Sequence, residues 1–194
     1  KVCTHLIEKG YDVKGTGFSR KSEGLEVLDI TDANGVKRFL EKNKPKVIIV
    51  PAAIVNAEFC ETNKDEAWRV NVEGVKNVIE NRGNSKVVYF SSDYVFDGKN
   101  GPYREIDIPN PINFYGVTKL AVENMLKSID SSLIIRSTVI YGWDPNSKNF
   151  IMQLISKLSK NEQMNVPNDQ YGTPTYGENL AEITLRLIEA DKSG

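Results

Sequence analysis

Two uninterrupted apolar runs, separated by a long helical pattern, constrain the fold of this chain most strongly. Residues 46–50 and 87–90 have the length and composition of strands that are buried on both faces of a parallel sheet. Between them, apolar residues recur at helical spacing over residues 63–82, and Gly83 follows as a helix stop. A strand, a helix and a second strand in this order predict a right-handed crossover within a parallel sheet.

The same alternation extends over most of the 194 residues. Strand patterns occupy residues 11–16, 25–30 and 132–136, and helical patterns begin after Thr31 or Asp32, near Tyr115, and over residues 150–158 and 178–190. The helix near Tyr115 is expected to bury Val117, Ala121, Met125 and Leu126. The sequence therefore predicts an α/β fold with a doubly wound, Rossmann-like parallel sheet.

The beginning of the chain differs from the usual start of such a sheet, which is a strand, a glycine-rich turn and a helix. Residues 2–7 read as a helix that ends at Gly10, and no glycine-rich turn of that kind occurs in the sequence. Either the first strand and its turn precede Lys1, or the protein has lost that site. We favour the first reading, because a sheet without its central strand would leave two edges unpaired.

Composition excludes several classes of function. The formal net charge is −1 with no basic stripe, which argues against a nucleic-acid partner. No apolar run is long enough for a membrane span, and nothing resembles a signal peptide. Cys3, His5 and Cys60 lack metal-site spacing, so we expect no metal, reduced thiols and a cytoplasmic location.

Tyr115, Lys119 and the Ser91-Ser92 pair form the candidate catalytic cluster. Tyr115 and Lys119 are four residues apart and therefore share one helix face, while the serines follow a buried strand. A cation beside a phenol favours the phenolate and lowers the phenol's pKa, which suits proton transfer to a carbonyl oxygen. Taken alone, the same spacing also occurs where a half-buried tyrosine lies beside a solvated lysine.

Longer motifs give a more specific signal. Residues 91–98 read SSDYVFDG, residues 102–105 PYRE, residues 107–111 DIPNP, residues 115–119 YGVTK and residues 169–175 DQYGTPT. With these segments the chain resembles the extended short-chain dehydrogenase/reductase superfamily and, within it, the dTDP-4-dehydrorhamnose reductases.

The resemblance implies a role for each matching residue. Ser92 would hydrogen-bond the substrate oxygen, Tyr115 would protonate it as hydride arrives from the nicotinamide, and Lys119 would bind the nicotinamide ribose. The remaining cofactor-binding positions implied are Asp29 and Ile30 at the adenine, Ala52 and Ala53 along the cofactor, Ser91, and Asn71 in support. The substrate-binding positions implied are Ser92, Asp93, Asn149 and Gln170.

Two residues favour NADP(H) over NAD. NAD-specific sites place an acidic side chain after the second strand, whereas an arginine suits the 2′-phosphate of NADP. Here Ser19 and Arg20 follow that strand without an acidic residue, so both are predicted to contact the phosphate. The alternative is that Arg20, like neighbouring Lys21, is a solvated cation.

The resemblance assigns residues 1–142 to an NADP-binding domain with the catalytic cluster, and residues 143–194 to part of a substrate-binding region. It implies a nucleotide-sugar substrate and a homodimer. Residues 56–58 and Val139 depart from the reductase pattern near the presumed sugar. Two alternatives therefore stay open: an NADP-binding regulatory subunit of the methionine adenosyltransferase β type, and a nucleotide-sugar epimerase or dehydratase.

Overall fold

The computed structural model describes residues 2–18, 24–143 and 149–194. The chain forms two compact units. One unit contains Lys1–Val13 and Ser137–Lys192, and the other contains Lys14–Arg136 and Ser193–Gly194.

The larger unit, residues 14–136 with 193–194, holds the predicted parallel strands. Strands β1 (Gly15–Gly17) and β2 (Leu25–Val27) pair in parallel, as do β3 (Val47–Val50) and β4 (Lys86–Ser92). Strand β5 (Ser132–Ser137) borders β4 on its other side, which gives the order β3-β4-β5. Parallel pairing is thus confirmed. The first two strands are shorter than predicted, because β1 and β2 pair over three residues each and end where the pairing ends.

Helix α2 (Ala33–Asn43) begins where the sequence predicts. Asp32 is its N-cap and accepts a hydrogen bond from the Asn34 amide at 3.1 Å. Val36 and Leu40 point into the main core of this unit. The buried members of that core are Val36, Leu40, Val50, Val75, Val78, Ile79, Val87, Tyr89, Val122 and Leu126.

The single helix predicted over residues 63–82 is a chain of shorter pieces. Helices α3 (Ala57–Thr62) and α4 (Lys64–Trp68) lead into a π-helical turn (Arg69–Glu73), and α5 (Gly74–Glu80) follows. Helix α3 starts early because Asn56 caps it, accepting a hydrogen bond from the Phe59 amide at 2.8 Å. The π turn carries Asn71, whose side chain is completely buried.

Helix α6 (Phe114–Leu126) is the predicted motif helix, and Asn113 caps it. Leu126 is buried as expected, but Val117 is 37% exposed, so its predicted burial is wrong. The buried face of α6 instead includes the polar residues Thr118, Lys119 and Glu123. The apolar pattern of this helix therefore does not predict its buried face, because polar residues of the candidate site are buried there as well.

The smaller unit, residues 1–13 with 137–192, contains three helices among its described residues: α1 (Val2–Glu8), α7 (Phe150–Ser159) and α8 (Gly177–Glu189). Helix α1 packs on α8, and strands β6 (Ile140–Tyr141) and β7 (Thr175–Tyr176) pair in parallel. Within the described ranges of the chain, none of the helices combines the length and apolar character needed to cross a bilayer.

Candidate active site

Ser92 lies at the carboxyl end of β4, where ligands bind in open α/β sheets. The strand continues through Ser91 and Ser92, two residues beyond the predicted end at Phe90. The Ser92 hydroxyl donates to Asp93 Oδ1 at 3.0 Å and accepts from the Tyr94 amide at 3.2 Å. These bonds fix the serine at the start of a short 3-10 helix (Asp93–Val95).

Tyr115 lies in the first turn of α6, and its side chain is 8% exposed. It packs with Cys60 and Ala67, and the Tyr94 ring meets it edge to face at 5.8 Å between centroids. Burial raises the pKa of Tyr115 to about 12, with the nearby Cys60 adding to the rise and a hydrogen bond with Ser92 opposing it. The lowered pKa that the sequence predicts is therefore wrong. Burial disfavours the charged phenolate, so the phenol is protonated at neutral pH.

Lys119 is 3% exposed, one helical turn after Tyr115. Its Nζ donates to the Phe90 carbonyl oxygen at 2.9 Å and lies 4.7 Å from the centroid of the Tyr89 ring and 5.6 Å from that of Tyr115. Burial lowers the pKa of Lys119 to about 8, although Cys60 and Glu123 favour the charged form. The structure thus brings Ser92, Tyr115 and Lys119 together around one strand end.

Asn71 contacts the backbone and the helix beside this group. Its Oδ1 accepts from the Ile54 amide at 2.7 Å, and its Nδ2 donates to the Ile54 carbonyl oxygen at 3.0 Å and to Thr118 Oγ1 at 3.2 Å. The side chain therefore ties the segment after β3 to helix α6. Ala52 and Ala53, predicted along the cofactor, belong to that segment, where Ala52 is exposed and Ala53 half-buried.

The other predicted cofactor-binding residues that the structure describes are Asp29, Ile30 and Ser91. Asp29 accepts two hydrogen bonds from Thr31, and the Ile30 carbonyl oxygen accepts one from Asn77 Nδ2 at 3.0 Å. The Ser91 hydroxyl donates to Glu123 Oε1 at 2.6 Å. Ser19 and Arg20 lie outside the described residues. The cofactor roles of these positions stay predictions.

The loop after Asp93 is held by a hydrogen-bonded aspartate. Asp97 accepts from the Tyr103 hydroxyl, the Lys99 amide and Asn110 Nδ2. These bonds, that of Tyr103 above all, lower the pKa of Asp97 to about 2. The Phe96 and Tyr103 rings stack at 4.3 Å, so the loop that follows Ser92 has a defined internal structure.

Of the predicted substrate-binding residues, Ser92 and Asp93 are adjacent in the larger unit and Asn149 and Gln170 belong to the smaller one. Asn149 caps α7, accepting from the Met152 amide at 3.0 Å, and its Nδ2 donates to the Gly142 carbonyl oxygen at 3.1 Å. Gln170 is exposed. These substrate roles also stay predictions.

Sequence reasoning missed Cys60 and Glu123. Cys60 is completely buried beside Tyr115, and burial raises the pKa of its thiol. Glu123 is completely buried one turn after Lys119, and its four-residue spacing was the available signal. Within the described ranges, no group of three or more His, Cys, Asp or Glu residues is arranged to hold a metal ion.

Comparison with known proteins relates the chain to two kinds of relative. It is 35% identical over 193 residues to methionine adenosyltransferase 2 subunit beta of Xenopus tropicalis, covering 97% of this chain and 58% of that protein. It is 34% identical over 189 residues to dTDP-4-dehydrorhamnose reductase of Aggregatibacter actinomycetemcomitans, covering 95% of this chain and 61% of that protein. The chain thus spans less than two thirds of the length of these relatives.

Solved structures confirm the predicted Rossmann-like fold. A hypothetical dTDP-4-dehydrorhamnose reductase from Sulfolobus tokodaii is 34% identical, with a TM-score of 0.91 over 100% of this chain and 69% of that one. The Bacillus anthracis dTDP-4-dehydrorhamnose reductase, solved in complex with NADP, is 31% identical, with a TM-score of 0.80 over 91% of this chain and 66% of that one. The family model described as the RmlD substrate binding domain matches residues 2–194, and the chain therefore belongs to that family.

Proposed function

We propose that the chain is part of an NADPH-dependent reductase that acts on the 4-keto group of a nucleotide-linked deoxysugar, of the dTDP-4-dehydrorhamnose type. The observation that carries the proposal is the cluster of Ser92, Tyr115 and Lys119 at the carboxyl end of β4, with the Tyr115 phenol protonated. The named reductase relatives support the substrate class.

Tyr115 is the proton donor in this proposal. With a pKa of about 12, the phenol keeps its proton at neutral pH until a stronger base, the alkoxide formed from the ketone, lies against it. The Ser92 hydroxyl donates to Asp93 Oδ1, and a substrate oxygen would replace that acceptor. When NADPH is bound, it supplies the hydride that reduces the carbonyl carbon.

The residues of the cluster fit a nicotinamide cofactor. Of the three hydrogens on the Lys119 ammonium, the hydrogen bonds among described residues use one, for the Phe90 carbonyl oxygen. Two are therefore left for ribose hydroxyls. Asp29, Ile30, Ala52 and Ala53 would line the rest of the cofactor, and Ser19 and Arg20 would select the 2′-phosphate of NADP. The NADP complex of the Bacillus anthracis relative supports this cofactor.

The finer expectations belong to the same proposal. Residues 1–142 would hold the cofactor and transfer the proton, and residues 143–194 would supply sugar-binding residues, among them Asn149 and Gln170. Asp93 would contact the sugar beside Ser92. The protein is expected to be a cytoplasmic homodimer.

The test is a direct assay with the full-length protein, NADPH and dTDP-4-dehydrorhamnose, following the loss of reduced-nicotinamide absorbance. Turnover with dTDP-4-dehydrorhamnose and not with a simple ketone supports the proposal. Absence of turnover, under conditions in which NADPH binds, contradicts it.

A second function is favoured by a specific observation. The Xenopus tropicalis relative is named as a subunit of methionine adenosyltransferase and is 35% identical to this chain. A regulatory subunit could retain the same cofactor-binding residues without turning over a sugar. Cofactor binding without turnover, together with a change in the activity of an added methionine adenosyltransferase, would select this alternative.

A further inference from the structure

A buried carboxylate lies in the middle of the motif helix, and the proposed proton transfer does not use it. Glu123 is completely buried and lies one helical turn after Lys119. A charge removed from water is retained only when other groups compensate for the lost hydration. The partners of Glu123 therefore show what this residue does.

Glu123 is held by the two strands that border the site. Arg136 Nε donates to Glu123 Oε1 at 2.9 Å and Arg136 Nη2 to Oε2 at 2.6 Å, which makes a two-bonded ion pair. The Ser91 hydroxyl donates to Oε1 at 2.6 Å. Arg136 is itself fixed, lying 5.0 Å from the centroid of the Phe96 ring and donating to the Glu105 carbonyl oxygen at 3.2 Å.

Lys119, in contrast, has neutral groups as its direct contacts. Its ammonium donates to the Phe90 carbonyl oxygen and lies against the Tyr89 and Tyr115 rings. Cys60 on α3 also favours the charged form of Lys119, but burial raises the pKa of that thiol, so it stays uncharged near neutral pH.

Two carboxylates act on the pair of Lys119 and Tyr115: Glu123 acts on the ammonium, and Asp93 acts on the phenol. Glu123 favours the charged form of Lys119 against the effect of burial.

We infer that Glu123 is a positioning residue: held by Arg136 and Ser91, its carboxylate keeps the Lys119 ammonium protonated and ties the strand end that bears Ser92 to helix α6. The value of this for catalysis rests on the proposed function. The protonation of Lys119, however, is a property of the chain itself and can be measured without substrate.

The test is Glu123→Gln in the full-length protein labelled with ¹³C-lysine. The glutamine keeps an acceptor for Ser91 and removes the charge. The Lys119 signal is assigned by its loss in Lys119→Met, and its pKa is read from an NMR titration of the Cε resonance. We expect a pKa lower by about one unit or more than in the unchanged protein. An unchanged or raised pKa overturns the inference.

Two further variants distinguish the loss of the Glu123 charge from a loss of packing around Lys119. Glu123→Asp keeps the carboxylate charge while it disturbs the same packing, so the Lys119 pKa should stay close to that of the unchanged protein. Glu182→Gln breaks an exposed glutamate–arginine pair, that with Arg186, and should leave the Lys119 pKa unchanged. A fall of about one unit in the Lys119 pKa in Glu123→Asp contradicts the inference, and this holds even if Glu123→Gln fails to fold.

NADPH affinity gives a second readout. At about pH 8, Glu123→Gln should bind NADPH more weakly than the unchanged protein, and lowering the pH to about 6 should remove most of the difference. A pH-independent loss of affinity would contradict the inference. If the Lys119 pKa falls as expected but no reductase activity is found, the proposed function fails and the role of Glu123 stands.

Discussion

The backbone of Gly116 lies against the carbonyl oxygen of Tyr94, so closely that a Cβ at residue 116 would overlap this oxygen. The contact joins the first turn of α6 to the 3-10 helix that follows Ser92. This backbone contact helps to hold Tyr115 close to Ser92. The glycine after Tyr115 is thus explained by close approach and not by an unusual backbone angle.

Gly116→Ala is expected to destabilise the protein by about 1–3 kcal/mol, because the overlapping atom belongs to the backbone and cannot rotate away. Urea unfolding measures the change. Val117→Ala is the matched control: its side chain is 37% exposed on the same helix turn, so its effect should stay within about 0.5 kcal/mol. Equal stability of the two variants would show that the contact relaxes.

Tyr115→Phe should lower kcat by a factor of about 10²–10⁴ and leave NADPH affinity close to normal, since the proposed proton-donating hydroxyl is lost and the buried ring is kept. Steady-state kinetics and cofactor fluorescence measure the two quantities. Tyr94→Phe is the control, because its half-exposed ring packs on Tyr115 and is retained. Undiminished activity in Tyr115→Phe would mean that another group is the acid.

The lowered pKa of Lys119 predicts that the free energy of unfolding depends on pH. Its pKa is about 8 in the fold, against 10.5 for an ordinary lysine. Between these values the unfolded chain holds a proton that the folded chain lacks, so this group raises the free energy of unfolding as the pH rises from about 8 to about 10.5. The total change is about 3 kcal/mol at most. Relative to Lys119→Met, the unchanged protein should gain stability between about pH 7 and about pH 10, and a constant difference would contradict the lowered pKa.

Asn71→Ala should cost about 2–4 kcal/mol, because it leaves the Ile54 amide and carbonyl groups without their side-chain partner. Chemical denaturation measures the loss. Asn124→Ala, at an exposed site on α6, is the control and should be nearly neutral. Amide exchange at Ile54 should also accelerate in Asn71→Ala, and its absence would argue against the role of Asn71 in holding the segment after β3.

The sequence predicts those features of this protein that depend on local pattern. The apolar runs at β3 and β4 and the cap at Asp32 occur where the spacing places them. Two features depend on contacts between distant residues and could not be predicted. Val117 was expected to be buried, yet the Glu123–Arg136 pair and the site take the buried face of α6. The pKa of Tyr115 depends on how deeply the ring is enclosed, which four-residue spacing does not reveal.

The π-helical turn at Arg69–Glu73 lets one continuous stretch of chain serve two separate interiors. An extra residue in a turn rotates the following helix face by about 100° relative to the preceding one. Before the turn, Ala67 packs with Cys60 and Tyr115, and after it Val75 belongs to the main core. The turn therefore changes which side of the helix carries the apolar residues. Deleting one residue from the turn would rotate the residues after it, so that Ala67 and Val75 could no longer pack in their two cores at the same time.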